Sequence, residues 1–330
     1  MQFSLVLPAI VGLSLLPSIP ARSILCTSTR NPVYEALVAN RTGSFHSNFN
    51  TGDAGKRKNG NLFSLAAELT VNNVDNLGRA AFVNELLSFD GPFPDLQLYD
   101  VLRLNDGNTA SILFYLHAHQ TGAFGGVPAT GNKVQAANGE LFVFDEDALV
   151  SRFIGVNQLD LVGLQISGQA PVDEFRNYSL VNNPQTPQAY RDKIKTAAAQ
   201  FNRNFNLGNS SAIAALAAPD VTVHPGNSND TTTSGRQALV NLITKYKTAL
   251  PDLLAHDEYV VGDGHYAAVE FIWQGTRTGP FVATNGTVVP PDGKVYRTRA
   301  FRWMEFNREG LVTTLWEVAN NNDFLTNVQG

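Results

Sequence analysis

The chain has 330 residues, of which 43% are hydrophobic, 10% aromatic and 16% charged, so it has ample apolar material for packed cores and does not have the composition of a disordered chain. Its formal net charge of −5 argues against nucleic acid as a partner, because neutralising phosphates requires clustered Lys and Arg. The single cysteine, Cys26, excludes an internal disulfide and a cysteine-rich metal site.

The N-terminal stretch MQFSLVLPAIVGLSLLPSIPARS is apolar and ends in small residues. It is too short and too interrupted by proline to span a membrane, whereas Ala21-Arg22-Ser23 offers a cleavage site of the small-x-small type. We therefore predict a signal peptide over residues 1–23, a protein in the secretory-pathway lumen or outside the cell, and no membrane span after cleavage. Asn-x-Ser/Thr sequons agree with export. The possible N-glycosylation sites are Asn40, Asn177, Asn209, Asn229 and Asn285.

A long internal repeat dominates the rest of the chain. PDLQLYDVLRLNDGNTASILFYLHAHQTGAF begins at Pro94, and PDLLAHDEYVVGDGHYAAVEFIWQGTRTGPF begins at Pro251. Both copies keep Pro-Asp-Leu, Asp-Gly and Thr-Gly-x-Phe, and weaker matches extend the repeat in both directions with small changes in offset. A repeat of this length predicts two copies of one fold rather than a short-period solenoid.

The second copy shows the clearer secondary-structure pattern. Residues 189–205 have helical spacing that places Ile194, Ala197, Phe201 and Phe205 on one face. The further predicted elements are a helix near 212–218, a strand at 221–224, a helix over 235–250, and strands near 258–261, 266–276, 295–306 and 311–318. Helices followed by antiparallel strands indicate an α+β fold. We predict one domain over residues 31–167, a linker rich in Pro, Asn and Gln over 168–187, and a second domain over 188–330.

Several short motifs of the second copy occur in a distinctive order. They are Gly235-Arg236-x-Ala238-Leu239, Pro251-Asp252-Leu253, Trp273-x-Gly275-Thr276-x-Thr278-Gly279, Pro290-x-x-Gly293 and Trp316. In these motifs the second copy resembles the SnoaL-like branch of the NTF2-like superfamily, and the first copy inherits the resemblance more weakly through the repeat. The resemblance implies two tandem cone-shaped domains, each a curved antiparallel sheet packed on helices around an apolar pocket. Because such domains pair through their sheets, it also implies a monomer that contains an intramolecular pseudo-dimer.

The resemblance breaks down at the residues that carry chemistry. In the family's cyclases, an Asp near the end of the last strand acts as a general acid or base and a His on the preceding strand assists it. Here Asn320 takes the Asp position and Arg302 the His position. In the first copy Glu140 answers Arg302, and either Asn157 or Gln158 answers Asn320. The family's cyclase machinery is therefore not expected in this chain.

Other polar residues of the second copy offer a different site. His224 ends a strand where relatives carry a pocket-facing His, and its alternative role is that of a partly exposed strand-end residue. Arg277 follows Gly-Thr and either binds a substrate carbonyl or makes a rim salt bridge. Glu317 and Asp323 are the nearest acids, although strand alternation points Glu317 away from Trp316. The candidate catalytic residues are His224, Arg277, Arg302, Glu317 and Asn320. The candidate pocket wall, for which core packing is the alternative, is Phe201, Phe205, Trp273, Trp303 and Trp316.

Tyr115, His117 and His119 alternate along one strand and therefore share a face. Since Phe114 and Leu116 take the apolar face, we expect these three residues to meet the other copy. Glu270 and Gln274 occupy the equivalent face of the second copy, so the five together predict a polar seam between the domains. No third ligand accompanies the two histidines, and we expect no metal.

The aromatic residues favour a hydrophobic small molecule as ligand or substrate. We expect a cofactor-free cyclisation, isomerisation or dehydration of a polyketide- or terpenoid-like secondary metabolite by acid–base chemistry, carried out in the second copy. The alternative is a non-catalytic binding or scaffold protein with the same fold. Loss of the family's acid in both copies favours that alternative.

Overall fold

The computed structural model describes residues 31–224, 232–282 and 287–320. The predicted signal peptide and the sequons at Asn229 and Asn285 lie outside these ranges. Two α+β units follow one another in the described chain, each built on a six-stranded mixed sheet. The expected fold class of two tandem α+β domains is confirmed.

The first unit begins where the side chain of Asn31 accepts hydrogen bonds from the backbone N–H groups of Val33 and Tyr34 and so caps the first helix. Pro32 occupies the first turn, where its missing N–H has no consequence. The elements of this unit are α1 (Pro32–Phe49), α2 (Asp53–Asn59), β1 (Phe63–Val71), β2 (Val74–Leu77), α3 (Arg79–Ser88), β3 (Gln97–Asp106), β4 (Thr109–His119), β5 (Lys133–Phe144), β6 (Val150–Asn157) and α4 (Leu159–Ile166).

The second unit repeats this plan. Its elements are α5 (Gln188–Asn206), α6 (Ser210–Ala215), β7 (Ala217–His224), β8 (Thr233–Ser234), α7 (Arg236–Ala249), β9 (Leu254–Asp263), β10 (Tyr266–Thr276), β11 (Phe281–Val282), β12 (Val288–Val289), β13 (Val295–Phe306) and β14 (Val312–Ala319). The strand order is β2-β1-β6-β5-β4-β3 in one sheet and β8-β7-β14-β13-β10-β9 in the other, so the two copies have the same topology. The predicted bounds of β10 and β13 agree with the structure, and on α5 the fully buried alanine is Ala198 rather than Ala197.

Each sheet has an inner face, packed on the helices of its own unit, and an outer face, which meets the other unit. The inner faces enclose two separate hydrophobic cores. The outer faces form a third core, in which Leu104, Leu113 and Leu141 of the first unit pack with Phe301 and Trp303 of the second. The units therefore pair through their sheets within one chain.

The Asp-Gly turns kept in both copies have a second role at this interface. Gly107 and Gly264 adopt positive φ angles of 65° and 56°, which a hairpin turn of this kind requires. Asp106 of the first unit accepts a hydrogen bond of 2.5 Å from Nζ of Lys195, and Asp263 of the second accepts one of 3.1 Å from the backbone N–H of Asn105. The aspartate of each turn therefore accepts a hydrogen bond from the opposite unit. This contact explains why both copies keep the aspartate although most other positions differ.

The segment 168–187 contains no helix or strand and lies on the outer face of the first sheet. The ring of Tyr178 stacks on Tyr115 with 3.8 Å between centroids, and Phe175 stacks on His117 at 4.6 Å. The backbone N–H of Val181 donates to the carbonyl of Val101. The predicted linker is therefore packed along the first unit.

No helix in the described ranges is both long enough and apolar enough to cross a membrane.

Candidate functional site

Three buried polar residues meet inside the first unit, and they come from three different elements. His46 lies on α1, Asp100 on β3 and Glu140 on β5. Nδ1 of His46 contacts a carboxylate oxygen of Asp100, and its Nε2 lies 3.1 Å from a carboxylate oxygen of Glu140. Arg103 pairs with the other oxygen of Asp100. The result is a chain of alternating charges, Arg103–Asp100–His46–Glu140.

Burial and charge oppose each other at these groups. Burial alone would lower the pKa of His46, but the carboxylates of Glu140 and Asp100 outweigh it and raise that pKa to about 9. Burial raises the pKa of Glu140 above its ordinary value even though the imidazolium opposes the shift. Burial acts in the same direction on Asp100, but its bonds to His46 and Arg103 prevail and lower its pKa. A carboxyl group with a raised pKa next to a protonated imidazole is suited to proton transfer near neutral pH.

Glu140 also lines a cavity of about 80 Å³ inside the first unit. Phe45 and Phe114, whose rings lie 5.5 and 4.4 Å from the His46 ring, form part of the same wall. The cavity is almost wholly apolar, so the carboxyl group of Glu140 is its main reactive feature. His46 and Asp100 lie behind this carboxyl group and do not line the cavity.

Two of these three positions hold different residues in the second unit. Glu140 lies opposite Ile112, and Arg302 lies opposite Val269, at the same place in the two sheets. Arg302 donates hydrogen bonds of 2.6 and 3.2 Å to Glu317, and it also contacts Asn202, the counterpart of His46. Asn202 in turn donates to Asp257 over 2.6 Å. The equivalents of His46, Asp100 and Glu140 in the second unit are therefore Asn202, Asp257 and Arg302.

The predicted catalytic residues do not form one group. Arg302 and Glu317 contact each other inside the second unit, and Asn320 is buried at the end of β14. Arg277 pairs with Asp292 at 2.5 Å. Val269 pairs with Arg302 across the two strands, and Arg277 comes eight residues after Val269. Eight residues of extended chain span roughly 25 Å, so Arg277 lies far along the strand from Arg302. Arg277 and Arg302 therefore do not act on one small molecule, and the pair with Asp292 is the predicted alternative for Arg277.

His224 faces away from the interior of the second unit. Val221 and Val223 take the inner face of β7, so alternation turns His224 to the other side, where its ring stacks on Trp316 at 5.4 Å. Both residues line a cavity of about 410 Å³ between the two units, together with Tyr115 and Gln158 of the first unit and part of the segment 168–187.

The predicted pocket-wall residues divide between the two faces of the second sheet. Phe201, Phe205 and Trp273 pack in the inner core, and the guanidinium of Arg302 lies 4.8 Å from the Phe201 ring. Trp303 lies instead in the core between the units and donates to Oγ of Ser111 over 3.2 Å. Trp303 lines neither of the two cavities described.

Of the five residues predicted to form a polar seam between the units, Glu270 does so and the other four do not. Arg299 binds Glu270 at 2.9 Å and Glu258 at 3.1 Å, and lies 3.7 Å from Asp75 of the first unit. Burial raises the pKa of Glu270 to about 7. Tyr115 and His117 are covered by the segment 168–187, and His119 pairs with Asp95. Gln274 is exposed.

Among the residues that the structure describes, no group of His, Cys, Asp and Glu is arranged to hold a metal ion. The carboxylates beside His46 lie at its two different ring nitrogens, so they do not converge on one point.

Sequence reasoning missed His46 and gave Glu140 only as the counterpart of Arg302. The signal was present in the repeat. Asp100 and Asp257 are identical, whereas His46 and Asn202 differ, as do Glu140 and Arg302. These polar residues differ between the two copies while the apolar residues beside them are similar. That pattern predicts a polar group inside each unit that differs between the units.

The sequence model of the SnoaL-like polyketide cyclase family matches residues 195–328, which confirms the resemblance of the second copy. Among similar solved structures, AclR from Streptomyces galilaeus is 21% identical, with 41% of this chain and 80% of that chain covered and a TM-score of 0.36. IdmH from Streptomyces antibioticus is 22% identical, with coverages of 40% and 95% and a TM-score of 0.35. TsrD from Streptomyces laurentii is 18% identical, with coverages of 40% and 95% and a TM-score of 0.36. No curated protein matches the chain.

Proposed function

We propose that the protein is a cofactor-free acid–base catalyst that isomerises, cyclises or dehydrates a hydrophobic small molecule, and that its active site lies in the first unit. The observation that carries this proposal is the carboxyl group of Glu140, which lines an apolar cavity and is backed by His46 and Asp100. Matching of the second copy to a polyketide cyclase family supports the class of chemistry.

In this mechanism Glu140 is the catalytic residue, because its carboxyl group is the one that reaches the substrate. His46 is a positioning residue that holds a proton at Nε2 beside Glu140 and stabilises the carboxylate whenever Glu140 has given up its proton. Asp100 fixes the His46 ring through Nδ1, and Arg103 balances the charge of Asp100. The phenylalanine walls exclude water, which keeps a proton removed from the substrate on Glu140 until it is returned.

The second unit then serves as a scaffold. Its equivalent position is occupied by Arg302, whose guanidinium is tied to Glu317 and Asn202 and packs against the rings of Phe201 and Phe271. A guanidinium cannot give up a proton at ordinary pH, so it cannot take the role of Glu140.

The test uses the protein and the metabolites of the organism that carries the gene. An organic extract from a strain lacking the gene is incubated with the purified protein in D₂O and analysed by mass spectrometry. An isomerase or cyclase yields a product with the formula of its substrate and without deuterium, because the proton removed stays on Glu140 until it is returned. A dehydratase yields a product lighter by a water. The Glu140→Gln variant should leave the extract unchanged, whereas Glu146→Gln, at an exposed residue of the first unit outside the cavity lining, should act like the native protein.

Conversion by Glu140→Gln at the native rate would place the chemistry elsewhere. An extract that even the native protein leaves unchanged would favour the second candidate function, binding without turnover. The specific observation behind that candidate is the larger cavity between the units, lined by Tyr115, Trp316 and His224.

The cellular location is part of the same proposal. The apolar N-terminus and the sequons support passage through the secretory pathway, and Asn40, Asn177 and Asn209 are exposed. Asn177 is the best placed acceptor, since it lies outside helices and strands, whereas Asn40 lies within α1 and the side chain of Asn209 caps α6. Intact-mass measurement of the secreted protein before and after glycosidase treatment tests the location, and a mature protein that retains residues 1–23 would contradict it.

A further inference from the structure

The lining of the first-unit cavity is unusually poor in polar groups. Eight phenylalanines and eight valines or leucines contribute to it, against three polar residues, Glu85, Glu140 and Asn157. Glu85 is exposed, which leaves Glu140 and Asn157 as the half-buried or buried polar residues of the wall. A ligand in this cavity therefore meets polar partners at one place and hydrocarbon everywhere else.

Glu140 and Asn157 lie on the same wall of the cavity. Glu140 pairs with Gly155 across β5 and β6, and Asn157 comes two residues after Gly155, so it shares the face of Gly155. A diagonal pair of this kind has its Cα atoms roughly 7–8 Å apart, which leaves space for one small functional group between the two side chains.

Asn157 has an amide available for a ligand. Its backbone N–H donates to Oδ1 of Asn72 over 2.8 Å, which fixes the residue at the end of β6. Its side-chain amide makes no hydrogen bond with any residue that the structure describes. An amide NH₂ group donates well to a carbonyl, hydroxyl or ether oxygen.

From this arrangement we infer that the first-unit cavity selects a hydrocarbon-rich molecule with a single oxygen function, held by Asn157, over a chain oxygenated at regular intervals. The inference rests on the proposed function and names its substrate class. A polyketide-like chain would bury several oxygens against phenylalanine and leucine side chains, and each oxygen without a partner costs roughly tenfold or more in affinity. A terpenoid-like ketone buries one oxygen, and Asn157 pairs with it.

The chemistry balances without a co-reactant for an unsaturated ketone. The carboxylate of Glu140 removes a proton from the carbon next to the carbonyl, the C–H electron pair becomes a C=C bond, and the carbonyl π pair moves onto the oxygen that Asn157 holds. Return of the proton from Glu140 to a carbon further along the conjugated system restores the carbonyl and the carboxylate. The double bond has moved and the formula is unchanged.

Binding of three probes of one size tests the substrate class on the full chain. Cyclohexane, cyclohexanone and cyclohexane-1,4-dione carry no, one and two oxygens on the same ring, and ligand-observed NMR measures their affinities. Cyclohexanone should bind about tenfold more tightly than either of the others. In the Asn157→Leu variant cyclohexanone should lose roughly tenfold while cyclohexane keeps its affinity, and Asn241→Leu, at an exposed helical asparagine of the second unit, should change neither.

Binding of the dione as tight as that of cyclohexanone, an unchanged cyclohexanone affinity in Asn157→Leu, or no binding of cyclohexanone would each overturn the inference. Melting temperatures establish that the variants are folded. These measurements need no turnover, so their failure is separate from failure of the Glu140→Gln conversion test, which addresses the proposed function.

Discussion

Nε2 of His46 lies 3.1 Å from a carboxylate oxygen of Glu140, and the opposite ring nitrogen contacts Asp100. The imidazole is 2% exposed, so its charge is stabilised by these two carboxylates rather than by water. The same pair joins the carboxyl group of Glu140 at the cavity wall to a polar chain reaching Arg103.

Replacing Glu140 by Gln should abolish substrate conversion and leave the fold intact. Loss of a positioned acid–base group lowers turnover by roughly 10²- to 10⁴-fold. The pKa of His46 should also fall below about 9, since one of the two carboxylates that raise it is gone. NMR titration of the His46 ring measures this fall, with Glu146→Gln as the control. An unchanged His46 pKa in Glu140→Gln would contradict the contact.

His46 should make the stability of the protein depend on pH. Its folded-state pKa of about 9 lies above the ordinary value of 6.5, so its contribution is fully present below pH 6.5 and is lost as the pH rises through about 9. The corresponding loss is on the order of 3 kcal/mol. In His46→Asn, which copies Asn202 of the second unit, the free energy of unfolding should decline less steeply over this range. Equal slopes in urea titrations of both proteins would refute the assignment.

The pair of Arg302 and Glu317 should behave as a buried ion pair that serves structure. Arg302→Met leaves Glu317 as an uncompensated charge at 0% side-chain exposure and should cost about 3–5 kcal/mol. Adding Glu317→Leu should restore much of the lost free energy of unfolding, because it removes the unpaired carboxylate that Arg302→Met leaves behind. Urea denaturation of the single and double variants measures the effect, and a double variant less stable than Arg302→Met would argue against it. Substrate conversion per folded molecule should stay at the native level in the double variant.

Gly139 should be required where the two sheets meet. A Cβ atom at this position would lie 2.4 Å from the Trp303 ring and 2.8 Å from that of Phe301. Gly139→Ala should therefore destabilise the protein by about 1–3 kcal/mol through overpacking. Gly163 on α4 has open space around its Cβ position, and Gly163→Ala should be neutral or stabilising by up to about 1 kcal/mol. Thermal unfolding compares the two, and equal melting temperatures would show that the interface yields at Gly139.

The sequence predicts much of the fold because local patterns determine it. Apolar and aromatic runs between turn residues define β10 and β13, and helical spacing with Pro251 after it defines α7. The repeat predicts that both units share one topology. The faces of β14 also follow from alternation alone, which places Glu317 opposite to Trp316 as expected.

The candidate site of the first unit does not follow from local pattern. His46, Asp100 and Glu140 lie far apart in the chain and come together only when α1 packs on the curved sheet. Nothing in the neighbourhood of His46 distinguishes it from a surface residue of a helix. The cavity cannot be predicted from the sequence either. Phe45 and Phe201 are the same residue type at equivalent positions, but Phe45 lines the cavity and Phe201 packs against Arg302.

The contact of Gly139 with Trp303 bears on which halves can pair. Gly139 and Phe301 occupy equivalent strand positions, opposite Leu113 and Glu270 respectively. Two second units joined in the same way would set the bulky ring of Phe301 against Trp303, where only a glycine leaves enough space. The second unit is therefore complementary to the first and not to itself. Because both units belong to one polypeptide, each second unit is made together with one first unit. The two unlike units then pair within the chain, and two second units do not need to associate.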